Sequence, residues 1–378
     1  YCAEIGINVY FITVAPLSEF LSGKGKETLV QLVKEEKKIN IITAPAGITF
    51  EFGSLEYKAG IYKQLLTRLP AGTPVIISDD GAVWEAATFF NDSFPVIGVL
   101  HGDDDLYYSL ARKYSDRVSA FACVSGRISG SLKNLLPAFP PERIFTIPCG
   151  ISLPAITASA VTAGHLKLIF VGRVTHHAKR TGDLVKIAAA LVADKVDFRL
   201  DIIGDGDAKA GLMQAFNDAG LSGYIRFLGW QSQAVVAAHL SASDILLLTS
   251  DFEGTPIAMM EAFAAGCGMV GTRVSGVEDY EFHPLAADCL RVYSIGDIPA
   301  AVAGIVGLAG VNIADRQHSA RKIAESEFSM QVCMQQYFRA IAEISTKAAP
   351  PRQYRLGLAT RVLSSARAYA RYLRVRSK

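Results

Sequence analysis

Glu253 and Glu261 stand either side of the stretch Gly254-Thr255-Pro256, with seven residues between them. A threonine followed by proline predicts a helix start, with Thr255 as N-cap, Pro256 at the first helical position and the helix running to about Ala265. The bare backbone N–H groups and the dipole of such an end suit an anion such as a diphosphate, and Gly254 lets the backbone approach it closely. Glu261, in the second turn, leans back toward the N-terminus, so both carboxylates can reach one ligand. Upstream, Arg173 and Lys179 supply positive charge where a diphosphate would leave, and such a pair can stabilise that leaving group without a metal. The competing reading is plain surface chemistry: a solvated acid, a polar helix face and a basic loop, since His176, His177 and Arg180 lie in the same segment. The two histidines lack nearby Cys or carboxylate partners and do not form a metal pattern.

The elements that must carry these residues alternate between strand and helix. Asn8–Val14 and Ile39–Ala44 have strand character, while Lys24–Glu36 and Leu55–Arg68 have helical periodicity. Pro74–Ser78, Val96–Leu100, Ala120–Val124 and Ile144–Ile147 are short apolar runs of the buried parallel-strand kind. An Ala/Ser/Thr-rich stretch from Ile151 to His165 has the composition of a hinge. Beyond it, strands are expected at Leu166–Val171, Phe198–Ile203, Ile225–Leu228, Ile245–Thr249, Met269–Gly271 and Cys289–Val292, with helices such as Asp183–Ala193 and Leu212–Ala219 between them. The expected fold is therefore α/β, with two Rossmann-like, doubly wound parallel-sheet domains facing a cleft. The first covers 1–154 and is completed by C-terminal helices within 330–378; the second covers 165–329. Ligands of such sheets bind at the carboxyl ends of the strands.

Composition supports a globular chain. Of 378 residues half are hydrophobic and 20% charged, and a single core stops growing well before that length. The six cysteines form no C-x-x-C pair and read as buried thiols of a reducing compartment. The chain opens on Tyr1 with strand-like residues close behind, so no signal peptide is expected and an N-terminal piece of the first domain is expected to be missing. The apolar run Ile298–Val311 is too short to span a bilayer and fits a core helix with its loop.

His101 follows the apolar run Pro95–Leu100 and sits at a strand's carboxyl end. Asp103-Asp104-Asp105 could hold a divalent ion against a diphosphate, but an acid-rich loop at a helix start, with Asp103 left for acceptor hydroxyls, fits better beside Arg173 and Lys179. Gly204-Asp205-Gly206 begins a dinucleotide fingerprint whose third glycine would fall on Lys209, which argues against a dehydrogenase.

Taken in order, Phe170-Val171-Gly172-Arg173, Lys179, Ile203-Gly204-Asp205-Gly206, Phe227-Leu228-Gly229-Trp230 and Glu253-Gly254-Thr255-Pro256 with Glu261-Ala262 and Gly266 resemble the GT-B-fold retaining glycosyltransferases of family 4. Val99-Leu100-His101-Gly102, Cys123-Val124-Ser125 and Pro148-Cys149-Gly150-Ile151 resemble that family in the first half. The resemblance implies transfer of a sugar from a UDP- or GDP-sugar to a glycan or lipid-linked acceptor, as in surface polysaccharide synthesis, with the nucleotide-sugar as co-substrate and neither cofactor nor metal. It implies that Glu261 accepts hydrogen bonds from ribose hydroxyls and that Glu253 contacts the donor sugar. It further implies that His101 touches the transferred sugar and that Arg173 and Lys179 complete the catalytic set. Gly172, Gly204, Phe227, Leu228, Gly254, Thr255 and Pro256 are then expected to line the donor, with Asp103 and Ser125 expected on the acceptor side. An epimerase on the same scaffold and a non-catalytic binding module are the alternatives.

From Arg352 to Lys378 the chain carries eight basic residues and no acid, and Leu356, Ala359, Leu363, Ala366, Ala370 and Leu373 recur at helical steps. Such a tail suits an anionic membrane, and equally suits a terminal helix packed on the first domain or a disordered basic end. The expected location is cytoplasmic, with this tail as the peripheral contact; nothing points to nucleic acid.

Overall fold

A computed structural model of the chain describes residues 9–13, 39–43, 54–70, 72–79, 81–87, 94–154, 164–175 and 178–345. The helix expected at 24–36, His176 and His177, much of the Ala/Ser/Thr-rich stretch, Cys2 and the basic tail lie outside the described residues. Two compact units emerge. One comprises Tyr1–Ala122, Ser131–Phe145 and Met334–Lys378, the other Cys123–Gly130 and Thr146–Cys333.

In the first unit, β1 (Val9–Thr13) and β2 (Ile39–Thr43) form a parallel pair. A second sheet runs β3 (Val75–Ile77), β4 (Val96–Leu100), β5 (Ala120–Cys123) and β6 (Ile144–Thr146) in that order. Strands β4 and β5 are buried at every position, as their unbroken apolar runs require. Gly98 in β4 leaves room for the buried Trp84, whose indole N–H donates to the Ser78 carbonyl at 2.8 Å. The helix Leu55–Leu66 starts on Ser54, whose hydroxyl accepts from Tyr57 N.

The second unit is built on β7 (Leu166–Val171), β8 (Phe198–Ile203), β9 (Ile225–Gly229), β10 (Ile245–Leu248), β11 (Gly268–Thr272) and β12 (Leu290–Tyr293). Their order is β12-β11-β10-β7-β8-β9, all neighbours parallel. The chain winds outward one way from β7 and then the other way from β10, and that reversal opens a crevice at the carboxyl ends of these two strands. One face of the sheet packs on Leu184, Ile187, Leu212 and Phe216 with Ile305 and Leu308; the other packs on Leu240, Met259, Phe263, Ile323 and Phe328. The helix Ile298–Ala309 buries Ala301, Val302, Ile305 and Leu308, so the apolar run there is a core helix. No single helix among the described residues is long and apolar enough to cross a membrane.

The division differs from a break at the hinge composition near residue 154. Ile151 N donates to Phe328 O and Met330 N to Ile151 O, which ties the start of that stretch into the second unit. Segment 123–130 joins it through side-chain bonds described below.

Candidate functional site

The site grows from the loops that leave β7 and β10. The first carries Gly172, Arg173 and Lys179. Ala178 and Arg180, on either side of Lys179, sit at φ of 72° and 42°, in the left-handed region that non-glycine residues avoid at a cost of about 1–2 kcal/mol each. The second loop holds this strained turn in place: Asp251 N donates to Ala178 O at 2.7 Å, Thr249 Oγ1 donates to Lys179 O at 2.7 Å, and Arg180 reaches Asp251 at 3.2 Å. Arg180 also pairs with the buried Asp183 at the start of the next helix. Strain so heavily secured by neighbours is characteristic of a functional loop.

The result is an ion pair. Lys179 Nζ donates to Glu253 Oε1, and Ser250 Oγ donates to the same oxygen at 2.6 Å. Both charged side chains are largely enclosed, at 18% and 13% exposure. Arg173 is exposed two residues beyond the end of β7 and has no ion-pair partner among the described residues. Gly172 lies close enough to Lys179 that a Cβ there would be 3.9 Å from Lys179 Cε.

Glu253 leads into the helix Ile257–Ala264, which begins one residue later than expected, with Pro256 rather than Thr255 as its N-cap. The reason is that the Thr255 hydroxyl is used elsewhere, donating to the carbonyl of Val124. No side chain caps this helix and no acid occupies its first turn, so the positive end of its dipole is left without a side-chain counter-charge. Glu261 lies in the second turn, half-buried, with Gln233 Nε2 at 3.5 Å from its carboxylate; burial raises its pKa above the ordinary 4.5, against the Gln233 contact, which lowers it. Gly266, at φ 77°, ends the helix.

Around this loop runs a set of buried hydroxyls. Thr272 Oγ1 donates to Ser250 O at 2.7 Å, Ser275 Oγ donates to Gly254 O at 3.2 Å, and Ser125 and Ser275 share a hydrogen bond of 2.6 Å. Gly276 packs so close beneath it that a Cβ there would be 2.6 Å from Thr255 Cα, at a φ of 76°. Gly126 N donates to Asp279 Oδ2 at 2.7 Å and Arg127 pairs with Glu278. These bonds draw segment 123–130 to the second unit.

The remaining expected residues fall as follows. Gly204 is obligatory, at φ 142° and so close to the Gly172 carbonyl that a side chain would collide with it. Phe227 turns inward, edge-on to Phe216 at 6.0 Å between ring centroids, and Leu228 packs on the core while its carbonyl accepts from Gln231 Nε2 at 2.6 Å. Ser125, expected on the acceptor side, is fully buried and committed to Ser275 and to Ile128 N. In the first unit His101 directly follows β4, half-buried, with its pKa lowered by burial and partly restored by Asp79. Tyr107 donates to Asp79 and stands edge-on to His101, and Tyr108 donates to Asp103 at 2.6 Å. Asp104 caps the following helix by accepting from Leu106 N at 2.9 Å, the helix-start role expected for this acidic loop. Asp79, Ser250, Thr272, Ser275 and Gly276 were not legible as site residues; only the small polar character of the strand ends hinted at them.

Residues 165–305 match the family model described as glycosyl transferases group 1. The amylovoran biosynthesis glycosyltransferase AmsK of Erwinia amylovora is 26% identical over 255 residues, covering 65% of this chain and 57% of the relative. The putative colanic acid biosynthesis glycosyltransferase WcaL of Salmonella typhimurium is 32% identical over 166 residues, 41% of this chain and 40% of the relative. The chain thus spans about half the length of these curated relatives. Among solved structures, Anabaena HepE in complex with UDP aligns at a TM-score of 0.67 and 14% identity, covering 89% of this chain and all of that one. The α/β architecture with its parallel sheets is that of the GT-B glycosyltransferase structures.

Proposed function

We propose that the protein is a retaining glycosyltransferase that moves a sugar from a nucleotide-sugar to a carbohydrate or lipid-linked acceptor in surface polysaccharide synthesis. The observation that carries this reading is the enclosed Lys179–Glu253 pair at the switch point, beside a helix start left without a cap. A nucleoside diphosphate matches that chemistry: Lys179, Arg173 and the helix amides meet its phosphates, and Glu261 accepts from the ribose hydroxyls. Glu253 then faces the sugar. The bond between the anomeric carbon and the phosphate oxygen breaks with its electron pair staying on the diphosphate, where the two cations stabilise it in place of a metal. The acceptor hydroxyl attacks the anomeric carbon from the same face and passes its proton to the departing phosphate. On this reading His101 contacts the transferred sugar, and Asp103 serves the acceptor. The names of the relatives, glycosyltransferases of amylovoran and colanic acid biosynthesis, support a carbohydrate acceptor, and HepE with UDP supports a uridine donor.

A thermal-shift screen of the full chain against UDP-, GDP- and ADP-sugars should raise the midpoint with one of them. With that donor, NMR of the product should show the anomeric configuration of the donor preserved. An inverted linkage overturns the retaining assignment, and a chain that binds no nucleotide overturns the whole reading.

A further inference from the structure

Glu253 is held by two donors of different character. Lys179 is a flexible side chain on a strained loop, and a diphosphate, with more negative charge than one carboxylate, competes for it directly. Ser250 is fully buried, donates at 2.6 Å, and has its own carbonyl fixed at 2.7 Å by Thr272, another fully buried residue, at the end of β11. When Lys179 turns to a phosphate, the carboxylate keeps its place only through the donor that cannot move.

We infer that Ser250 is a positioning residue: with Thr272 behind it, it retains the Glu253 carboxylate toward the sugar after the donor diphosphate has taken Lys179. This rests on the proposed transfer function and deepens it, since it assigns separate residues to binding the phosphate and to aiming the acid. Lys179 would serve affinity and turnover together, whereas Ser250 would serve turnover alone. The geometry also explains why hydroxyl residues occupy three buried positions at the ends of β10 and β11, Thr249, Ser250 and Thr272, where apolar residues would pack as well.

The test compares the full-length wild type with Ser250→Ala and Thr272→Val, reading UDP and GDP affinity by calorimetry and turnover with the matching nucleotide-sugar, followed as donor hydrolysis if no acceptor is supplied. Loss of a buried hydrogen bond to a charged group should lower kcat about tenfold in Ser250→Ala, with nucleotide affinity and donor KM within about twofold of wild type. Thr272→Val should give the same split at a smaller size, about threefold in kcat. Unchanged kcat in Ser250→Ala overturns the inference while leaving the transfer function standing. So does a parallel fall in affinity, KM and thermal midpoint, which marks Ser250 as merely structural. A wild type that binds neither nucleotide overturns both.

Discussion

The two edges of the six-stranded sheet are both charged, but they are built differently. At the carboxyl edge Lys179 and Glu253 are mostly enclosed, the two loops that carry them are held by hydroxyls that are themselves buried, and two backbone positions are strained. At the amino edge an open groove of about 580 Å³ is lined by His165, Lys167, Arg199, Asp201, Tyr224 and Arg226. It holds three cations, Lys167, Arg199 and Arg226, yet its central pair, Arg226 with Asp201, leaves the arginine 65% exposed. Charge there is solvated and spread out, and exposed pairs of this kind contribute at most about 1 kcal/mol. The difference lies in the backbone: the reversal of strand order separates the loops at the carboxyl edge, where open parallel sheets bind their ligands, and the amino edge lacks that arrangement despite its groove.

Substitutions can break or sharpen that contrast. The largest effect is expected from Glu253→Gln or Lys179→Ala, each lowering transfer by about a hundredfold or more because groups facing developing charge in an enclosed site have no substitute. Assays of product formation at saturating donor check this. Glu261→Gln should weaken nucleotide binding by about tenfold without lowering the thermal midpoint. The sign follows from its raised pKa: the folded state holds that proton more tightly than the unfolded chain, so the ionised carboxylate costs stability at neutral pH and the amide relieves the cost. In the wild type the same shift should make nucleotide affinity fall with decreasing pH while still above the ordinary carboxylate value of 4.5, and calorimetry across that range should find a smaller fall in Glu261→Gln, leaving only the part due to the nucleotide's own phosphate. Gly276→Ala forces a side chain into Thr255 at a left-handed φ and should cost about 1–3 kcal/mol in denaturant unfolding. Arg226→Ala, on the opposite edge, should leave transfer within about twofold and stability within about 1 kcal/mol.

The strands of the second unit were legible almost residue for residue, because buried parallel strands are written as unbroken apolar runs. Leu166–Val171 and Phe198–Ile203 match at both ends. Glu253 and Lys179 were read into one site through the order of glycine-bearing strand ends, and the structure pairs their side chains although 74 positions separate them in the chain. The helix start was displaced by one residue because a tertiary contact, Thr255 to Val124, claimed the hydroxyl that local capping rules assign to the N-cap. The hydrogen bonding of Ser125 was hidden for a related reason: a serine at a strand end looks free in sequence, and only the packed loops reveal that Ser275 engages it. Hydroxyl pairings of that type depend on loops 150 residues apart, so no periodicity announces them.

Calorimetric titration of UDP, and of GDP in parallel, into wild type, Lys179→Ala and Arg226→Ala examines the contrast most directly. Binding by wild type and Arg226→Ala alike, with affinity at least tenfold weaker in Lys179→Ala, is the expected result. Affinity that survives loss of Lys179 but disappears with Arg226 would move the nucleotide to the amino edge and contradict the assignment of the site.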